Sequence, residues 1–121
     1  MMEKMTGIGG VFFRAKDPAA IAQWYEQHLD INLAPTNMEM TLWVSNEGVT
    51  VFSPFAEDTD YFPPQNNFML NFRVADLDKM LNQLREASIE ISQEQAMDGI
   101  GRFARIHDPE GNPIELWEPV S

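Results

Sequence analysis

The spacing of apolar residues changes character along the chain, and each change marks an element. Ile8 to Ala15 is an apolar-rich run of strand type. Asp17-Pro18 follows, a capping residue with proline at the first helical position. Apolar or aromatic-compatible positions then recur at Ile21, Trp24, Tyr25, His28 and Leu29, the stripe of an amphipathic helix. Asn37 to Val44 reads as a strand. Asn46-Glu47-Gly48 is a turn, and Val49 to Phe55 is the returning strand. Phe68 to Val74 is again a strand. Asp76 caps a second helix with apolar positions Leu77, Met80, Leu81, Leu84 and Ala87. Ile89 to Ile91 reads as a short strand. Arg102 to His107 and Pro113 to Trp117 form a last hairpin around Asp108-Pro109-Glu110-Gly111-Asn112.

The order is therefore β-α-β-β-β, twice. Residues repeat as well as elements. Phe13-Arg14-Ala15-Lys16-Asp17 matches Phe72-Arg73-Val74-Ala75-Asp76. Val49-Thr50-Val51-Phe52-Ser53-Pro54 matches Ile114-Glu115-Leu116-Trp117-Glu118-Pro119. Two matches in the same order predict an internally duplicated module. The expectation is one domain over 1–121, with module 1 at about 7–55, module 2 at about 67–119 and a connector over 56–66. The connector is acidic and then proline-rich, Ala56-Glu57-Asp58-Thr59-Asp60 and Pro63-Pro64. It reads as a linker, with a flap over a pocket as the alternative.

Strand alternation sorts the side chains by face. Val11, Phe13, Ala15, Val49, Val51, Leu70, Phe72, Val74, Ile114 and Leu116 make an apolar face that should pack on the helices. The opposite face is mixed. It carries Phe12, Thr50, Phe52, Met69, Asn71, Phe103, Arg105, Glu115 and Trp117, with Trp43 expected to join from the third strand. Aromatic walls with a few polar groups suit a small-molecule cavity. These ten residues are the candidate ligand-binding set, with Arg105 and Glu115 fixing a ligand's polar end or pairing across adjacent strands.

Composition narrows the chemistry. The chain has 121 residues, 44% apolar and 22% charged, an ordinary globular mixture. No cysteine is present, which removes disulfides, thiolate metal sites and thiol nucleophiles. Eight basic against 19 acidic residues give a net charge of −11, which would repel a phosphate backbone and argues against nucleic acid. No apolar run is long enough for a membrane span, and the first residues lack a signal peptide's apolar core, so the expected setting is cytoplasmic.

The run Gly101-Arg102-Phe103-Ala104-Arg105-Ile106-His107-Asp108-Pro109-Glu110-Gly111-Asn112-Pro113-Ile114-Glu115-Leu116-Trp117-Glu118-Pro119 resembles the glyoxalase/bleomycin-resistance/dioxygenase superfamily, also called the vicinal oxygen chelate fold. The Asp-Pro-x-Gly-Asn-x-Ile-Glu-Leu core is a specific signature of that family. The strand–Asp-Pro–helix opening with Trp24-Tyr25 fits as well. The resemblance implies an α+β fold in which two βαβββ modules form a curved mixed sheet with a cleft. It also implies a homodimer.

In that family a divalent metal is usually held by His, Gln or Glu from four strands. Carried over by position, those places fall on Gly10, Thr50, Met69 and Glu115. Only Glu115 is a ligand for a hard cation. Neighbouring registers supply none, His28 lies on a helix stripe, and His107 stands at a strand's end. The expectation is therefore no metal and no cofactor, and a protein that binds a small planar or aromatic molecule. The alternative is a glyoxalase-type lyase or isomerase with a non-standard or metal-free site, using Glu115 as a general base.

Overall fold

The computed structural model describes residues 2–33 and 42–120. Helix α1 spans Pro18–Leu29 and α2 spans Leu77–Glu86. Strands are β1 (Leu70–Arg73), β2 (Gln93–Met97), β3 (Gly101–His107) and β4 (Pro113–Pro119). They form one mixed sheet in the order β1-β4-β3-β2, with β1 parallel to β4 and the other pairs antiparallel. The second βαβββ module is thus assembled as the pattern predicts.

Both helices start where the capping residues stand. Asp17 accepts the amide of Ala20 at 3.1 Å, and Asp76 accepts that of Lys79 at 3.0 Å. Glu118 of β4 accepts the amide of Leu77 at 2.7 Å, pinning the start of α2 to the sheet. One face of the sheet is the core. Ala104, Ile106, Ile114 and Leu116 pack with Leu77, Leu81 and Leu84 of α2 and with Ile21 and Tyr25 of α1. Burial of these side chains contributes roughly 1.5–3 kcal/mol for each large one.

The signature turn is structural. Asp108 is buried and accepts four hydrogen bonds: from the Glu110 and Asn112 amides at 2.9 and 3.0 Å, from Asn112 Nδ2 at 2.8 Å, and from Tyr25 Oη at 2.8 Å. Glu110 accepts the amides of Lys16 and Asp17 at 2.7 and 3.0 Å. The turn therefore clips α1 of the first module onto the second module's sheet.

Four strand expectations differ from the structure. Ile8–Ala15 and Val49–Phe55 carry no ladder, and neither do residues 42–44; residues 37–41 of the third expected strand lie outside the described residues. Of the apolar face expected on the helices, Ala15 packs at the core, but Val49 and Val51 stay 63% and 68% exposed. Alternation reports a residue's suitability for a half-covered ladder and says nothing of which strand will lie beside it. The strand expected at Ile89–Ile91 begins four residues later, at Gln93. Ile89 and Ile91 are half-buried beside the core, while β2 is an exposed edge held by pairing to β3.

Candidate functional site

The register of the sheet brings the site residues together. On the face away from the helices, Asn71, Glu115, Arg105 and Gln93 stand side by side across β1, β4, β3 and β2. The next row is Arg73, Trp117, Phe103 and Gln95. Glu115 and Arg105 are 8% and 7% exposed, and Trp117 is 8% exposed. Phe103 and Trp117 lie parallel, with centroids 6.0 Å apart and planes at 4°.

Glu115 accepts from two side chains. Asn71 Nδ2 donates to Oε1 at 2.8 Å, and the hydroxyl of Tyr61 donates to Oε2. Arg105 forms no ion pair with Glu115 within 4.0 Å, although the two are directly opposed; the ion pairs among the described residues are Arg85–Glu94 and Arg102–Asp78. Tyr61 instead links both. Arg105 Nη2 donates to its carbonyl at 3.1 Å, and the guanidinium carbon lies 5.2 Å from the centre of its ring. Burial pushes the Tyr61 hydroxyl's pKa up, and its bond to Glu115 adds to that; Arg105 opposes both. Arg105 Nε is buried and has no partner.

Tyr61 is the residue that pattern reading passed over. It sits in the connector, where the acidic run and prolines signal a linker. The signal available was the pair Tyr61-Phe62, two aromatics in an otherwise polar stretch. Phe55 stacks on Tyr61 at 5.4 Å and meets Phe62 at 5.7 Å, so the connector folds as a small aromatic cluster over the sheet.

The remaining expected residues lie elsewhere. Phe12 and Phe52 are 94% and 90% exposed, and Thr50 is exposed as well. They belong to segments without a ladder, so no pleat carries them to Glu115's face. Trp43 meets Phe72 edge-on at 6.2 Å, on a residue packed against the core rather than on the mixed face. Met69 is half-buried just before β1. Arg73 donates to the carbonyls of Asn46 and Glu47 at 3.0 and 3.3 Å and so holds the predicted turn. A cavity of about 170 Å³ opens away from this site, between Phe13, Tyr25, Asn66 and Asn112, and holds none of the expected ligand-binding residues. Over Glu115 the space is taken by Tyr61.

A family model described as the Glyoxalase/Bleomycin resistance protein/Dioxygenase superfamily matches residues 7–116. The chain belongs to this superfamily. Solved structures share its vicinal oxygen chelate fold. A protein from the mobile metagenome of V. Pseudocholerae is similar with a TM-score of 0.66 and 16% identity, covering 100% of both chains. Lactoylglutathione lyase from Agrobacterium tumefaciens is similar at 0.63 and 15%, covering 95% of each. TnmS3, an antibiotic binding protein from Streptomyces sp. CB03234, is similar at 0.56 and 23%, covering 87% of this chain and 88% of its own. The search of curated proteins found no match.

The superfamily's metal chemistry can be tested against the residues present. Gly10 offers no side chain, and the nearest atoms to a Cβ built there belong to the Phe12 ring. Thr50 is exposed, and Met69 offers a soft thioether. Both oxygens of Glu115 already accept hydrogen bonds. No three of His, Asp and Glu converge among the described residues. This donor set does not fit a hard divalent cation.

Proposed function

We propose that this superfamily member binds a small planar aromatic molecule on the outer face of its second-module sheet, without a catalytic metal. Arg105 carries the reading. It is a buried cation with no carboxylate in contact and an Nε–H without an acceptor. A buried donor left unpaired costs about 1–3 kcal/mol, which a ligand acceptor would recover. Trp117 and Phe103 supply an aromatic wall one register step away. TnmS3, a protein of the same fold, is an antibiotic binding protein; that likeness supports the class of role by analogy. We further propose that the protein works in the cytoplasm as a homodimer.

Metal analysis and a thermal-shift screen test this reading. The purified protein is expected to carry no stoichiometric zinc, nickel, manganese or iron, and a chelator to leave its melting temperature unchanged. A planar aromatic ligand at 100 times its Kd should add about 2.7 kcal/mol of stability. Arg105→Met should keep the fold and lose that gain. One equivalent of bound metal, with turnover of a glyoxalase-type substrate that depends on Glu115, would install the lyase or isomerase reading in its place.

A further inference from the structure

The chain already holds an aromatic group in the proposed site, and its chemistry describes the ligand. Tyr61 presents a phenol to the sheet. Its hydroxyl donates to Glu115, its ring lies under the Arg105 guanidinium at 5.2 Å, and Phe55 stacks on it at 5.4 Å. Asn71 donates to the other oxygen of Glu115 at 2.8 Å, while the phenol donates to Oε2. Glu115 is 8% exposed, and its position between Asn71 and Arg105 is set by the strand register. The acceptor is built into the sheet, whereas the donor comes from a loop.

That loop is lightly attached. Within 56–66 the backbone bonds are local, Thr59 to Ala56 at 3.0 Å and Asn66 to Pro63 at 3.0 Å. Among the described residues, Tyr61 bonds it to the sheet, and Asn66 bonds it to Asn112 at 3.3 Å. Tyr61 itself is 36% exposed. A segment with few anchors and an exposed aromatic can leave the sheet at low cost.

We propose that Tyr61 is a stand-in ligand, and that the site accepts a hydroxylated planar aromatic whose phenol displaces it. This rests on the binding reading above and adds the ligand's class. The incoming hydroxyl donates to Glu115 Oε2, and its ring takes the place between Arg105 and Phe55. Arg105 Nε offers a further donor to an oxygen on the same ligand. A hydroxyl-free aromatic would leave Oε2 without the donor that Tyr61 had supplied.

The experiment uses p-cresol, which is the tyrosine side chain as a free molecule, against toluene, which lacks only the hydroxyl. Both are titrated calorimetrically into the full chain and into Tyr61→Ala. The variant should bind p-cresol more tightly than the parent does, because no side chain must be displaced. It should prefer p-cresol to toluene on the order of tenfold, the worth of a hydrogen bond to a charged acceptor. That preference should shrink in Tyr61→Ala with Glu115→Gln. Should Tyr61→Ala fail to fold, the parent gives a second readout. It has two tyrosines, which Tyr25→Phe distinguishes by NMR, and p-cresol should move the ring signals of Tyr61 and not those of Tyr25. Equal binding of p-cresol and toluene, or unmoved Tyr61 signals under saturating p-cresol, overturns the stand-in assignment. If other planar aromatics still stabilise the parent through Arg105, the binding reading survives that result. If no aromatic binds either parent or variant, both fall.

Discussion

At the scale of the residue, the site depends on small steric facts. Gly101 has φ +135°, a conformation that residues with side chains rarely adopt. A Cβ there would stand 2.2 Å from the Glu118 carbonyl oxygen and 2.9 Å from Trp117 Nε1. The Trp117 indole donates to the Ile100 carbonyl at 3.0 Å, so this glycine lets the ring lie flat against its neighbour strand. Gly101→Ala should therefore lower stability by roughly 1–3 kcal/mol, the cost of a strained backbone, and shift Trp117 fluorescence. Denaturant titration with emission spectra checks both. Glu115, Arg105, Phe103 and Trp117 were legible as a group from alternation in β3 and β4 alone, because both strands are long enough to show a period of two. Tyr61 was not, since loop residues carry no periodic signal and its partners are more than 40 residues away in the chain.

At the scale of the element, the most informative junction is between α1 and the 108–112 turn. The Asp-Pro-x-Gly-Asn signature reads as a family mark, and its physical work is to bind Tyr25 and the amides before α1. Burial pushes the Tyr25 phenol's pKa well up, and both the hydrogen bond to Asp108 and that carboxylate's charge add to the rise. The folded phenol resists ionisation while the unfolded one ionises near its ordinary value of 10.0. Stability from this group is therefore fully present below about pH 10 and falls as pH rises through and above that value. Tyr25→Phe should flatten the loss above pH 10, and should lower stability at pH 7 by about 1–3 kcal/mol through the lost hydrogen bond to the buried Asp108 carboxylate. Urea unfolding at pH 7, 9, 10 and 10.5 measures both. The helices were legible to the residue at their starts because capping is a local interaction. The offset of β2 was not legible, because Gln93–Met97 has no apolar alternation and owes its pairing to β3.

At the scale of the whole molecule, the second module is a complete sheet, while the first contributes a docked helix and apolar segments that remain uncovered. Val49, Val51 and Phe52 are 63%, 68% and 90% exposed. Exposed apolar groups in such number are uncommon on a monomer. The proposed homodimer would cover them, and sedimentation equilibrium at micromolar concentration should return twice the chain mass of 13.8 kDa. A monomer at all concentrations would remove that proposal. By itself the sequence determined the second module's β-α-β-β-β order, both helix starts, the last hairpin and the single carboxylate among the superfamily's ligand places. These follow from capping, periodicity and residue chemistry, which act over a few neighbours. Tertiary structure alone decided that Tyr61 comes between Arg105 and Glu115 in place of a direct ion pair, and that the signature turn clamps α1. Those contacts join segments distant in the chain, and their geometry exists only once the sheet has set the register.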